Sequence, residues 1–294
     1  DPCSNHGLPD LSMGLYITLR IFALHIYFRL SMDFASKHSR IAPIFLALIL
    51  VLAALLVFSG FYGPTIANTD NFFYITYAHE ALMHGLDILP YTNNLTTSYF
   101  LLLGMAALDA FFRNTIFSAV LFEYIMLSGT IITVYLIGRR LFGVLGGIIS
   151  SFTCAISPLL IVLTKAAGDD VPMTFFASLS VLFYLMHTRG KHGSAYLMLS
   201  GFIIVAGMLV VYESMLMLPT ILILIIAEHV HAKKGCRASA AARDIIVFAT
   251  GALLGTLIIA LVGYAVTGVA SLPMNIFINY FSQLKQPLPY NPLV

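Results

Sequence analysis

The chain has 294 residues, 60% of them apolar and only 10% charged, and a mean hydropathy of +0.93; no single water-soluble core hides so much apolar surface, so the bilayer must be its solvent. A formal net charge of +2 is too small to point to a nucleic-acid partner, and Cys3, Cys154 and Cys236 have neither metal-type spacing nor the look of a disulfide framework. The sequence begins at Asp1 and stops in a polar, proline-containing stretch at Val294, which reads as part of a longer polypeptide.

In chain order, residues 1–40 read as a cytoplasmic or interfacial amino-terminal segment. Their apolar run at 11–32 carries Arg20, His25 and Arg29, which suits a helix lying in the membrane interface better than a cleavable signal peptide. A crossing needs ~20 apolar residues to span ~30 Å of hydrocarbon. Residues 41–61 meet that without a charge, 115–138, 144–164 and 245–267 are comparable, and 171–187 is shorter. The run 194–229 would be ~50 Å long as one helix, so it reads as two, with the turn at Tyr212-Glu213-Ser214. Gly251 and Gly255 form a GxxxG for close helix approach, and Gly143, Gly146 and Gly147 read the same way. No Walker or Rossmann glycine pattern is present.

Residues 95–112 are apolar enough to be counted as a further crossing, and charge decides against it. If they lie on or dip into the outer leaflet, twelve of the fifteen Lys and Arg residues share the cytoplasmic side, leaving Arg113, Lys165 and Lys285 outside. The expected architecture is therefore all-α and polytopic, with about seven transmembrane helices in a module at 41–267. Outer loops fall at 62–114 and 165–171, with juxtamembrane helices on the outer surface. The amino terminus lies inside, and residues 268–294 begin an outer loop or a further domain. This topology gathers Asp70, Glu80, Asp87, Asp109, Asp169, Asp170 and Glu213 on the outer side, where several helix ends could share one water-filled pocket.

The first outer loop contains NTDNFFYITYAHEALMHG. At 100° per residue Phe72, Ile75, His79, Leu82, Met83 and Leu86 share one face, and Tyr74, Tyr77, Ala81 and His84 lie opposite with Asp70, which predicts a helix along the membrane surface. Asp70 directly precedes that helix and suits its N-cap, a role compatible with chemistry. His79 and His84 are five apart rather than the four of a zinc-protease HExxH and read as packing or surface residues. In KAAGDDVPMTFF, Asp169 or Asp170 suits a cap before Pro172, yet two adjacent carboxylates exceed what a cap needs. They fit a divalent cation (Mg, Mn or Zn) or repeated contacts with a sugar and its phosphate. Glu213 interrupts an apolar run and must reach water or a partner. Glu123 sits deeper and reads as a carboxyl hydrogen-bonded between helices. Lys165 and Arg113 suit either a lipid phosphate or anchorage of helix ends at the headgroups. Asn94-Leu95-Thr96 is a glycosylation sequon on the predicted outer side.

The order of these features resembles the GT-C glycosyltransferase superfamily, particularly its protein O-mannosyltransferase and lipid A aminoarabinose transferase branch. The resemblance runs from Asp70 to about Leu185 through NTDNFFYITYAHEALMHG and VYLIGRRLFGVLGGIISSFTCAISPLLIVLTKAAGDDVPMTFF. It implies an amino-terminal module of seven helices, a catalytic aspartate in the first outer loop at Asp70, and an acidic motif in the second at Asp169 and Asp170. The sequence has Asn71 where many relatives carry a second acidic residue, and Glu213 near a position where many carry a basic residue.

The resemblance further implies an integral enzyme of a prokaryotic plasma membrane or the endoplasmic reticulum, with its site on the non-cytoplasmic face. A polyprenyl-phosphate sugar would be the donor and a protein, lipid or glycan the acceptor. The expected roles are Asp70 as base, Asp169, Asp170 and Glu213 as sugar or metal contacts, Tyr74 as a donor contact, and Lys165 and Arg113 as phosphate contacts. A flippase or transporter is the first rival, predicting internal repeats and broken helices; a non-catalytic membrane subunit is the second.

Overall fold

A computed structural model describes residues 41–59, 69–84, 99–189, 193–231 and 237–267. The expected interfacial helix at 11–32, Asp87, the sequon at Asn94, Lys285 and the segment 268–294 lie outside the described residues. The described chain is helical with no strand: α1 Ala42–Phe58, α2 Thr69–His84, α3 Tyr99–Phe112, α4 Thr115–Ala155, α5 Pro158–Ala166, α6 Asp170–Arg189, α7 Gly193–Gly207, a 3-10 turn Tyr212–Leu216, α8 Met217–His231 and α9 Arg237–Thr267.

Helix α4 is the centre of the arrangement and is two helices in one. Gly143 has φ 80° and ψ −175°, a conformation open to glycine and strained for any residue with a Cβ. The chain reverses there. A methyl group added to Gly138 would meet the Gly146 carbonyl and Ser150 Oγ at 2.8 Å, and one on Gly147 would meet the Tyr135 carbonyl at 2.8 Å. In a straight helix residues 135 and 147 would be ~18 Å apart. The two limbs are therefore an antiparallel hairpin closed over small residues, and Gly143 is its turn, a correction to the reading of that glycine as a packing surface. The expected crossing at 144–164 is also interrupted: α4 ends at Ala155, and α5 restarts with Pro158 after the extended Ser157, because proline lacks the N–H and clashes with the preceding turn.

Around α4 pack α1, α3 and α6; α6 packs on α7, α7 on α9, and α9 on α8. The α7–α9 contact is close, with Gly201 under the Phe248 carbonyl and Gly251 under that of Met198, so Gly251 and Gly255 act as the GxxxG predicts. Ser180 and Ser200, both fully buried, join α6 to α7 through hydroxyls 2.9 Å apart. Several threonines, including Thr130, Thr133 and Thr250, turn their hydroxyls back to the carbonyl four residues earlier, which satisfies them without water. The break between α7 and α8 falls at the predicted place, as a 3-10 turn rather than a bare loop.

Outward faces are as apolar as the core. Ile44, Leu48, Val51 and Leu55 form a stripe along α1, and Ile246, Leu253, Leu257 and Leu261 another along α9, each more than half exposed. Water would not tolerate such stripes on a folded surface, and lipid does. Among the described residues three helices are long and apolar enough, by length and composition, to cross a membrane: Thr115–Ala155, taken across its turn at Gly143, Asp170–Thr188 and Ser239–Leu261. Ala42–Phe58, Phe100–Phe112, Gly193–Gly207 and Ser214–Val230 are shorter apolar helices. The chain is an integral membrane protein.

The bundle has a basic and an acidic end. Arg140 Nε donates to the Leu185 carbonyl at 3.1 Å, beside His187. There Asp244, buried, stands 3.4 Å from Nε2 of both His187 and His229 and accepts from Arg243 at 3.1 Å. Helix α6 runs from this end to Asp170 at the other.

Candidate functional site

The acidic end is assembled from four segments distant in sequence. Helix α2 begins at Thr69, two residues earlier than expected, so Asp70 lies within its first turn rather than capping it. Tyr74, Ile75 and Ala78 are buried on the face turned to Leu101, Leu102 and Met105 of α3. The predicted apolar face is displaced from this one: Ile75 is inside, while His79, Leu82 and Met83 are exposed. Periodicity alone did not resolve which side of α2 meets the bundle, because aromatic and aliphatic residues occur all round it.

Tyr74 joins the helix that holds Asp70 to the start of α6. Its hydroxyl donates to Asp169 Oδ2 at 3.3 Å across 95 residues of sequence. Asp169 occupies the N-cap position of α6, its carbonyl accepting from Met173 N at 3.0 Å, and Asp170 is exposed at the first helical residue. Asp70 lies four residues before Tyr74, one turn along the same side of α2; its side chain, like that of Glu213, is outside the described set. The turn holding Glu213 belongs to the same end: its flank Val210 and Val211 clusters with Phe176 of α6, with Phe100 and Met173 packed alongside, and Phe100 N donates to the Leu209 carbonyl at 3.3 Å.

Lys165, in the last turn of α5, directs Nζ to the Ser59 carbonyl at 3.4 Å, tying the end of α5 to the end of α1. Arg113 is exposed and adopts φ 52° at the corner between α3 and α4; Asn114 then caps α4 by accepting from Phe117 N at 3.0 Å. Arg113 is thus a corner residue as well as a cation, and neither cation is described in contact with the Asp169–Asp170 pair. Among the described residues no three His, Cys, Asp or Glu side chains are grouped to hold a metal ion; Asp169 and Asp170 are the candidate ligands of the metal reading.

Two features escaped sequence reasoning. Glu123 is fully buried, and neither carboxyl oxygen has a hydrogen-bond partner among the described residues, which corrects the expectation of a bond between helices. His79 and Asp109, 30 residues apart, meet at 3.1 Å with Thr115. Only the helix packing brings them together; the one available signal was an aspartate standing in an otherwise apolar helix.

A family model described as dolichyl-phosphate-mannose-protein mannosyltransferase matches residues 95–253, more than half of the chain. The match includes Arg113, Lys165, Asp169, Asp170 and Glu213 and begins after Asp70 and Tyr74. Neither the curated proteins nor the solved structures gave a match.

Proposed function

The chain belongs to the dolichyl-phosphate-mannose-protein mannosyltransferase family, a GT-C family of membrane glycosyltransferases, and on that premise we propose that it moves a sugar from a polyprenyl-phosphate donor to a hydroxyl acceptor on a protein, lipid or glycan. The polyprenyl phosphate departs as a stabilised anion, so the protein has two tasks: to take a proton from the acceptor hydroxyl and to hold the sugar and its phosphate by polar contacts. Asp70 is the base in this reading. Asp169, Asp170 and Glu213 orient the donor together with Tyr74, and Lys165 and Arg113 supply positive charge for the phosphate. A single displacement at the anomeric carbon inverts its configuration.

The observation that carries the reading is the Tyr74–Asp169 hydrogen bond. It brings the helix bearing Asp70 against the acidic start of α6, so that one donor can be gripped from both sides. The helix ends also support a seven-crossing topology. Arg139, Arg140, Arg189 and Arg243 stand at the end away from Asp169, and placing that end in the cytoplasm follows the positive-inside rule. The acidic end then faces the non-cytoplasmic side, with α2 and α3 at its surface; α3, at 14 residues, is ~21 Å long and short of a crossing.

Purified full-length protein supplied with a panel of polyprenyl-phosphate sugars tests the reading. Transfer from at least one donor is expected, and Asp70→Asn, folded as wild type, should lose it. Undiminished transfer by that variant would remove Asp70 as the base. The divalent cation on Asp169 and Asp170 is a separate proposal: EDTA should abolish transfer and Mg, Mn or Zn restore it. Turnover indifferent to EDTA would assign both carboxylates to direct contacts.

A further inference from the structure

Helix α2 is held from a second side by a polar cluster built on a buried aspartate, with His79 half exposed. Asp109 is 2% exposed in α3, within the apolar sequence YFLLLGMAALDAFF. Its Oδ2 lies 3.1 Å from His79 Nδ1 on α2 and accepts from Thr115 Oγ1, the first residue of α4, at 3.0 Å; Thr115 Oγ1 is also 3.3 Å from His79 Nδ1. A carboxylate oxygen only accepts, and the threonine hydrogen is directed to the carboxylate, so Nδ1 carries a hydrogen shared between Asp109 and Thr115. Burying a carboxylate at such a place is costly without charge-assisted partners. Ordinary helix packing would be met by apolar side chains, as it is on the Tyr74 side of α2.

The cluster's position gives it a purpose. His79 follows Asp70 by nine residues, two and a half helical turns, which places it on the opposite side of α2 from Asp70. The helix is therefore fixed at two points: by Tyr74 to Asp169 at its start, and by His79 to the α3–α4 corner near its end. Hydrogen bonds to a buried, oriented acceptor set rotation about a helix axis more tightly than apolar contacts do, since the latter tolerate sliding.

We propose that His79, Asp109 and Thr115 are positioning residues that fix the rotation of α2 and thereby the placement of Asp70 against Asp169 and Asp170. This rests on the glycosyl-transfer reading above for its catalytic consequence, though not for its geometry. Two readouts test it on the full-length protein. In transfer assays, His79→Ala lowers kcat at least tenfold and changes the donor KM less than threefold, while His79→Asn, whose side-chain amide can donate from about the position of Nδ1, returns kcat to within threefold of wild type. In a background with Cys3, Cys154 and Cys236 replaced by serine, spin labels at Met83→Cys and Leu216→Cys, both exposed positions, report the placement of α2. Their distance distribution broadens in His79→Ala and narrows again in His79→Asn.

If His79→Ala cannot be obtained folded, Thr115→Val, of similar shape, is measured in its place by both readouts. An unchanged distance distribution in the alanine variant overturns the proposal. So does a His79→Asn protein with wild-type distances but the alanine variant's kcat, since the imidazole would then be needed for itself. Should wild type transfer no sugar from any polyprenyl-phosphate donor, the functional reading fails and the distance distribution alone decides the positioning role.

Discussion

Replacing Tyr74 by Phe removes one oxygen and leaves the ring in place, so it isolates the contact between α2 and the start of α6. The ring is buried among Leu101, Leu102, Met105 and Ala78, and Phe keeps that packing. What is lost is a hydrogen bond to a carboxylate. Such bonds contribute about 1.5–3 kcal/mol when short, but at 3.3 Å this one is long for an O–H donor, which places it near about 1 kcal/mol. If the bond holds Asp169 in its working position, the same free energy is lost from the transition state, roughly a fivefold fall in kcat/KM. Tyr74→Ala removes the ring as well and should cost about 3–5 kcal/mol of stability. The assay is initial-rate transfer from a polyprenyl-phosphate sugar, with thermal unfolding in detergent run in parallel. A Tyr74→Phe protein with wild-type kcat/KM, or one that loses activity only in proportion to unfolding, would refute the claim that this hydroxyl orders the site.

Other perturbations address the scaffold. Gly251→Leu drives a side chain into the Met198 carbonyl and must part α7 from α9; overpacking of this kind costs about 1–3 kcal/mol or more, read as a lower unfolding midpoint in detergent, whereas an unchanged midpoint would mean that the two helices are not in contact. Ser180→Ala and Ser200→Ala should show a coupling of about 0.6 kcal/mol in a double-mutant cycle, and strict additivity would contradict their shared hydrogen bonds. Asp244→Asn takes the charge from the group that faces His187, His229 and Arg243 at once and should destabilise by about 1.5–3 kcal/mol. Glu123→Met replaces an unpartnered buried carboxyl by an apolar chain of similar length; the unfolding midpoint should rise, by the equivalent of about 1–3 kcal/mol, and a fall would show that the carboxyl has a stabilising partner.

Much of the helical layout could be read in the sequence because lipid makes it a matter of length and charge. The uncharged run at 41–61, the paired basic residues Arg139 and Arg140, and the interruption at Tyr212-Glu213-Ser214 each mark a helix end that the fold contains. The failures have local causes. Gly143 and Gly146 look alike in a string of letters, and only the backbone angle at the first distinguishes a turn from a packing surface. Pro158 stands inside the apolar run 144–164, whose length alone hides the helix break that the proline imposes. The convergence of Asp169 with the Asp70 helix was an expectation from the pattern of charges, and it took the fold to supply Tyr74 as the link. His79 and Asp109 could not have been paired from sequence at all, since a histidine on an amphipathic helix and an aspartate in an apolar one have no shared periodicity.

A double-mutant cycle on Asp70→Asn and Asp169→Asn, followed through kcat/KM for transfer from a polyprenyl-phosphate sugar, goes straight to the idea that both carboxylates act on one molecule. Either change alone should reduce transfer, and the two together should cost much less than the product of the separate losses, because groups serving one transition state are not independent. Strictly multiplicative losses, or full activity in either single variant, would mean that the two segments do not share a substrate.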